Sequence, residues 1–86
     1  MEEKEIGEIT HYFSKIGVGV IRITSDDGLK KGDTIHIKGA TSDFEQKLES
    51  MQINHQEVAE AKKGDSIGLK VKGPVREHDA VFKVIG

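Results

Sequence analysis

The chain has no cysteine, so neither a disulfide nor a thiolate-bound metal is open to it, and that usage agrees with a reducing compartment. It has no run of about 18 apolar residues, which excludes a membrane-spanning helix. The first residues, Met1-Glu2-Glu3-Lys4-Glu5, are acidic and lack the apolar core of a secretory signal, so the expected location is the cytoplasm. No Gly-x-x-x-x-Gly-Lys-Ser/Thr loop occurs, and no nucleotide is expected. No Gly-x-Ser-x-Gly elbow occurs either. The four histidines, His11, His36, His55 and His78, include no i,i+4 pair and no carboxylate at a metal-ligand spacing, so neither catalysis, nor a cofactor, nor a metal is expected from the motifs. A basic excess is also missing. Thirteen Lys and Arg against fifteen Asp and Glu leave a net charge of −2, which argues against affinity built on broad phosphate neutralisation.

What the chain does have is a stretch that occurs twice. Leu29-Lys30-Lys31-Gly32-Asp33-Thr34-Ile35-His36-Ile37 returns as Ala61-Lys62-Lys63-Gly64-Asp65-Ser66-Ile67-Gly68-Leu69. Each copy holds an aliphatic residue, two lysines, a Gly-Asp corner and a strand with apolar residues on alternate positions. Glycine takes positive φ without a Cβ clash, and the neighbouring aspartate accepts backbone N–H bonds in a turn. Gly32, Asp33, Gly64 and Asp65 are therefore structural corners that start strands.

Around them the apolar pattern has period two. Strands are expected over residues 6–13, 18–24, 35–38, 44–49, 67–71 and 80–85. In the second, Val18 and Val20 share one parity and Ile21 and Ile23 the other, which predicts a β-bulge near residues 19–21. Gln46 is a polar amide on the apolar face of its strand, and a bond to a backbone carbonyl at the end of the sheet is its expected role. The single proline, Pro74, closes the strand before it. Residues 54–63 have helical character, with Asn54 as cap, and residues 1–4 are expected to be disordered. Eighty-six residues make one domain, residues 1–86, burying roughly 60–65% of the unfolded surface. Six or seven short strands at regular spacing point to an all-β barrel or sandwich.

The run Leu-Lys-x-Gly-Asp-x-Ile-x-Ile-x-Gly, the Ser50-Met51-Gln52 triplet and the Val-x-x-Ala-x-x-Gly-Asp-x-Ile-Gly-Leu segment resemble the second, β-barrel domain of translational GTPases such as elongation factor Tu and initiation factor 2. Gly32, Asp33, Ala61, Gly64, Asp65, Gly68 and Leu69 carry the likeness, which covers about residues 5–84. The stretch from Gly39 through Thr41, Asp43, Phe44, Gln46 and Leu48 to Gln52 is similar to small elongation-factor-like proteins. The barrel appended to collagenase-like peptidases is similar too. The resemblance implies an antiparallel six-stranded Greek-key barrel, and RNA or ribosome components as partners.

The candidate binding residues are Lys30, Lys31, Lys62 and Lys63, which would form one basic edge if the corners meet, with Arg22 as a bidentate anion contact and Tyr12 as a stacking platform. Tyr12 and Phe13 are adjacent, so alternation sends one to the core and leaves the other exposed. The bland reading of the lysines is protection of strand edges. Two functions follow: a non-catalytic module binding RNA or a translation-associated partner, or a module docking on a larger enzyme such as a collagenase-like peptidase.

Overall fold

A computed structural model describes residues 2–40 and 42–85, so Thr41 of the Gly39–Gln52 stretch lies outside the described residues. Ten strands follow in order: β1 (Glu2–Phe13), β2 (Val18–Ile23), β3 (Leu29–Lys30), β4 (Thr34–Lys38), β5 (Asp43–Lys47), β6 (Met51–Ile53), β7 (Gln56–Val58), β8 (Glu60–Ala61), β9 (Ser66–Lys70) and β10 (Ala80–Ile85). Eight form one sheet in the order β5-β4-β10-β1-β2-β9-β6-β7, and β3 pairs with β8 as a separate ribbon. All the pairings are antiparallel. The expected six-stranded closed barrel is corrected to this arrangement, because among the described residues the large sheet keeps two free ends, β5 and β7.

Seven isoleucines, Ile6, Ile9, Ile21, Ile23, Ile35, Ile37 and Ile67, are each no more than 1% exposed and dominate the core. Their stiff, branched side chains fit a pleated surface, which is why so few aromatics are needed. The strand between the two halves is β1. It pairs with β10 along residues 2–8 and with β2 along residues 7–13, and it shifts register twice, between Glu5 and Gly7 and between Ile9 and His11. Each extra residue bends the strand and raises its twist, so one long strand serves both halves of a curled sheet.

The bulge expected in β2 therefore lies opposite it, in β1. In β2 the alternation is unbroken, with Gly19, Ile21 and Ile23 buried and Val18 and Val20 half-buried on the outer face. A Cβ on Gly19 would lie 3.3 Å from both Val71 and Val75, so the valine run places a glycine inward for lack of room. Two further expectations are corrected. Of residues 1–4, expected to be disordered, Met1 lies outside the described residues and residues 2–4 continue β1, paired with Ile85, Val84 and Lys83. The helical stretch is a hairpin: β6 and β7 pair around Asn54 and His55, whose φ values of 52° and 66° are those of a type I′ turn.

Both Gly-Asp corners form as expected, and a third appears. In the first, Asp33 N–H donates to Lys30 O at 3.0 Å and its carboxylate accepts Lys30 N–H at 2.8 Å. The second repeats this with Asp65 and Lys62 at 2.9 Å for both bonds. The third uses Asp79 and Arg76, at 3.1 and 3.0 Å. The third turn position carries Gly32 (φ 100°), Gly64 (φ 92°) and His78 (φ 74°), the positive φ of a type II turn.

Every corner then docks on a core residue by a reciprocal pair of backbone bonds. Gly32 N–H donates to Leu48 O and Leu48 N–H to Asp33 O; Gly64 and Asp65 treat Ile23 likewise, and His78 and Asp79 treat Ile9 likewise, all at 2.7–2.9 Å. Strands β4, β9 and β10 each start within a residue of such an aspartate.

The β5 end of the sheet is tied to the chain leaving β9 by one side chain. Gln46 Nε2 donates to Lys70 O at 2.8 Å and its Oε1 accepts Lys72 N–H at 2.9 Å, which bears out the expected amide-to-backbone bond and doubles it. A primary amide presents a donor and an acceptor side by side, as a peptide does, so Gln46 stands in for a strand pair.

Gly64→Ala should cost about 1 kcal/mol, since nothing lies within 4 Å of the added Cβ and only the positive φ resists it. His78→Gly should raise stability by about 0.5 kcal/mol, the αL strain relieved exceeding the entropy a glycine adds. Urea unfolding measures both, and a shift of the two in the same direction would break the equivalence of the corners. Gln46→Leu should cost about 1 kcal/mol, because it removes two part-buried hydrogen bonds to the Lys70 carbonyl and the Lys72 N–H.

Candidate functional site

The lysine corners sit at the β3–β8 ribbon. Leu29 pairs with Ala61 and Lys30 with Glu60, so the two corners leave the ribbon from opposite ends. Lys30, Lys62 and Lys63 line one hollow, shared with Asp26, Asp27 and Glu60. Lys63 approaches Asp26 at 3.8 Å, and Lys4 holds Asp27 at 2.5 Å. Hydrogen bonding between that second pair raises the Lys4 pKa and lowers that of Asp27. Exposed pairs of this kind contribute little to stability, yet they interleave the lysines with acids. Lys31 N–H donates to Ala59 O at 2.8 Å. Arg22 is exposed on β2, flanked in register by Glu8 and Ser66.

Of the two adjacent aromatics, Tyr12 packs against the core and Phe13 is 47% exposed, so the free ring is Phe13. The reason is the β1 bulge before His11, which resets the parity of the strand's last three residues. Phe13 does not stand alone. Ile16, 61% exposed in the turn that follows, and the half-buried Val18 and Val20 line the same hollow, bordered by Gln52, His55 and Ser66. His11 lies against Phe13 with ring centroids 4.4 Å apart. The result is an apolar face on the β1–β2 hairpin with a polar rim.

A second cluster lies on the outer face of β5-β4-β10-β1. His36, on β4, has only 14% of its side chain exposed. Its Nδ1 is 2.5 Å from Glu3 Oε2 on β1, and its Nε2 is hydrogen-bonded to the Asp43 carboxylate on β5. Glu45 stands directly opposite His36 in the β4–β5 ladder. The Asp43 hydrogen bond is the main cause that raises the His36 pKa; burial opposes it, and the bond and charge of Glu3 add to it. The same bond lowers the pKa of Asp43. An imidazolium satisfies both carboxylates with its two N–H groups, whereas neutral imidazole donates only one.

Sequence reasoning passed over both groups for the same reason: each is assembled across strands. The alternation that turns His36 outward was visible, but its pairing with Glu45 needed the register, and Glu3 lies 33 residues away along the chain.

No family model matches the chain. It has the fold of a peptidase C-terminal domain: the C-terminal domain of a Geobacillus thermoleovorans protein assigned as a U32 peptidase superposes with a TM-score of 0.86 at 19% identity, covering 95% of this chain and 93% of that one. A selenomethionine variant of that domain gives 0.84 at 18% identity, with 91% and 96% covered. At such identity these matches speak to fold alone.

The sequence relatives are proteases. An uncharacterized protease of Methanocaldococcus jannaschii is 44% identical over 79 residues, which make up 91% of this chain and 19% of the protease. A collagenase of Porphyromonas gingivalis is 37% identical over 79 residues, 91% of this chain and 22% of the collagenase. The chain thus spans about a fifth of the length of the curated relatives it matches.

These findings overturn the resemblance to translational GTPases and elongation-factor-like proteins, and RNA and ribosome partners lose their support with it. The motifs behind that resemblance are the Gly-Asp corners. Their work here is to dock turns on Leu48 and Ile23, a backbone task that any function can share. The likeness to collagenase-like peptidases is the one the relatives support.

The cluster around His36 makes stability depend on pH in a defined window. His36 has its pKa raised from an ordinary 6.5, so its contribution is complete below that value and is lost as pH rises through the higher folded-state pKa. Asp43 has its pKa lowered from 3.8, so its contribution is present above that value and lost as pH falls through the lower one. In buffer containing EDTA, urea stability should therefore decline above pH 6.5 more steeply in the wild type than in Asp43→Asn. Equal slopes would show that the His36–Asp43 contact carries no stability.

Proposed function

We propose that this chain is a non-catalytic accessory module of a collagenase-like, U32-type peptidase, docking on the larger peptidase body through the apolar face around Phe13 and Ile16. The observation that carries this reading is the coverage: 91% of the chain matches only a fifth of each protease relative, so its counterpart there is one module beside a much larger remainder. The exposed apolar face supports it, because Phe13 and Ile16 form a contiguous group with Val18 and Val20 rather than scattered single side chains. Aromatic anchors inside a polar rim have the anatomy of a protein interface.

A non-catalytic role is supported by where the candidate chemistry goes. Among the described residues the side-chain hydrogen bonds of Ser25 and Ser42 run to Asp27 and to the Pro74 carbonyl, and the polar contacts of His11 and His36 run to carboxylates. In this reading the curled sheet, with its seam spanned by Gln46, is a barrel-like body that holds the hairpin rigid for docking.

The test uses the M. jannaschii protease with its own matching segment deleted, mixed with this chain and followed by isothermal titration calorimetry and sedimentation. A saturable one-to-one association is expected. Phe13→Ser with Ile16→Ser should weaken it about tenfold or more without changing thermal stability, since both side chains are exposed. Absence of association with the unsubstituted chain would sink the proposal. Unchanged affinity in the double variant would move the interface elsewhere.

A further inference from the structure

The outer face of β5-β4-β10-β1 carries a constellation that docking does not use. We infer that Glu3, His36 and Glu45 form a binding site for a divalent transition-metal ion of the Zn2+ class, with Asp43 orienting the imidazole.

Each of the three residues offers a ligand atom within 4.8 Å of the other two. A Zn2+ ion bound at about 2.1 Å needs its ligand atoms roughly 3–4 Å apart, so side-chain rotation suffices and no strand has to move. The ladders hold the backbone positions. Glu45 faces His36 across β4–β5, His36 faces Phe82 across β4–β10, and Phe82 faces Glu5 across β10–β1. Glu3, two residues before Glu5, reaches back along that row to Nδ1.

The division of labour on the imidazole suits a metal. Each ring nitrogen faces a carboxylate, Nδ1 that of Glu3 and Nε2 that of Asp43; with Glu3 turned onto an ion, Asp43 would keep the proton on Nε2 and leave the Nδ1 lone pair to the metal. That carboxylate–histidine arrangement is the usual outer-sphere support of a zinc-bound histidine. Glu3 and Glu45 then supply two negative charges to a dication. The Phe82 ring, opposite His36 across β4–β10, lies 6.3 Å from the imidazole. Lys38 stands opposite Asp43 in the β4–β5 ladder, a positive charge on the side of the carboxylate left outside the coordination sphere. The nitrogen donor selects the Zn2+, Co2+ and Ni2+ group over Mg2+ and Ca2+, which prefer oxygen throughout.

On binding, the ion displaces the Nδ1 proton to solvent and exchanges water ligands for Nδ1, Glu3 and Glu45, so the Nδ1–Glu3 hydrogen bond is replaced by coordination while the Nε2–Asp43 bond is kept. The site lies at the opposite end of β1 from Phe13, so it does not depend on the peptidase reading.

The test titrates metal-free protein with Zn2+ by calorimetry and with Co2+ by visible absorption. One ion per chain is expected, together with a rise in melting temperature. Glu45→Gln should weaken Zn2+ binding at least tenfold. Glu45 is exposed on β5, so this variant should keep the fold, which its unliganded melting temperature verifies. His36→Asn should abolish the Co2+ absorption, and His55→Asn should leave it unchanged. Binding that is equal in the wild type and Glu45→Gln, or that is lost with His55→Asn, overturns the assignment. So does a wild type that binds neither ion.

Discussion

The fold depends on a single local interaction used three times: an aspartate carboxylate that accepts the N–H three residues back, closing a turn whose third residue has positive φ. The carboxylate is an ionised acceptor, and such bonds contribute roughly 1.5–3 kcal/mol, more than a neutral pair. The turn alone would only reverse the chain. Its importance comes from the next pair of bonds, which fasten it to the backbone of Leu48, Ile23 or Ile9, residues whose side chains are no more than 1% exposed. Each corner thus couples a surface turn to the core, and a long strand leaves from it. A chain of 86 residues without cysteine has few other means of fixing so many short strands.

The sheet's free end makes the same point from the opposite side. Where backbone ladders run out at β5, the chain does not leave the adjoining carbonyl of Lys70 and N–H of Lys72 unpaired, because Gln46 meets both. An amide is the one uncharged side chain with a donor and an acceptor at peptide-like spacing. The apolar parity of β5 is broken at that residue for this reason, and Gln46, only 8% exposed, is among the few polar side chains in the interior.

Two of the three corners were legible because Gly-Asp advertises them. The third was hidden by chemistry, since His78 occupies at φ 74° a place that glycine fills elsewhere, so Arg76-Glu77-His78-Asp79 reads as an ordinary polar turn. Asn54 misled in a related way: a residue that caps helices also tolerates the left-handed region, and only the pairing of Met51 with Val58 decides between the two. Gln46 could be read from parity alone. The bulge could not be assigned to its strand, because an outward Val18 and Val20 violate the rule of apolar residues inward just as a bulge would, and they do so where they help form the exposed face with Phe13 and Ile16. The candidate site was the least legible part. Glu3, His36, Asp43 and Glu45 meet only through the register of four strands, and register is a property of the folded sheet.

The misleading resemblance rests on residues with a structural task, which clarifies what such motifs report. Gly32, Asp33, Gly64 and Asp65 do backbone work, and that work is indifferent to what the outer faces carry. The corners leave the outer faces of the strands unconstrained. Strand β1 links two such places: Phe13 at one end, in an apolar hairpin face, and Glu3 at the other, in a cluster of acids around an imidazole. Ten residues of strand put about 30 Å of chain between them, less what the two bulges take up. At that distance the two faces are free to serve different ligands, and neither constrains the core that the corners hold.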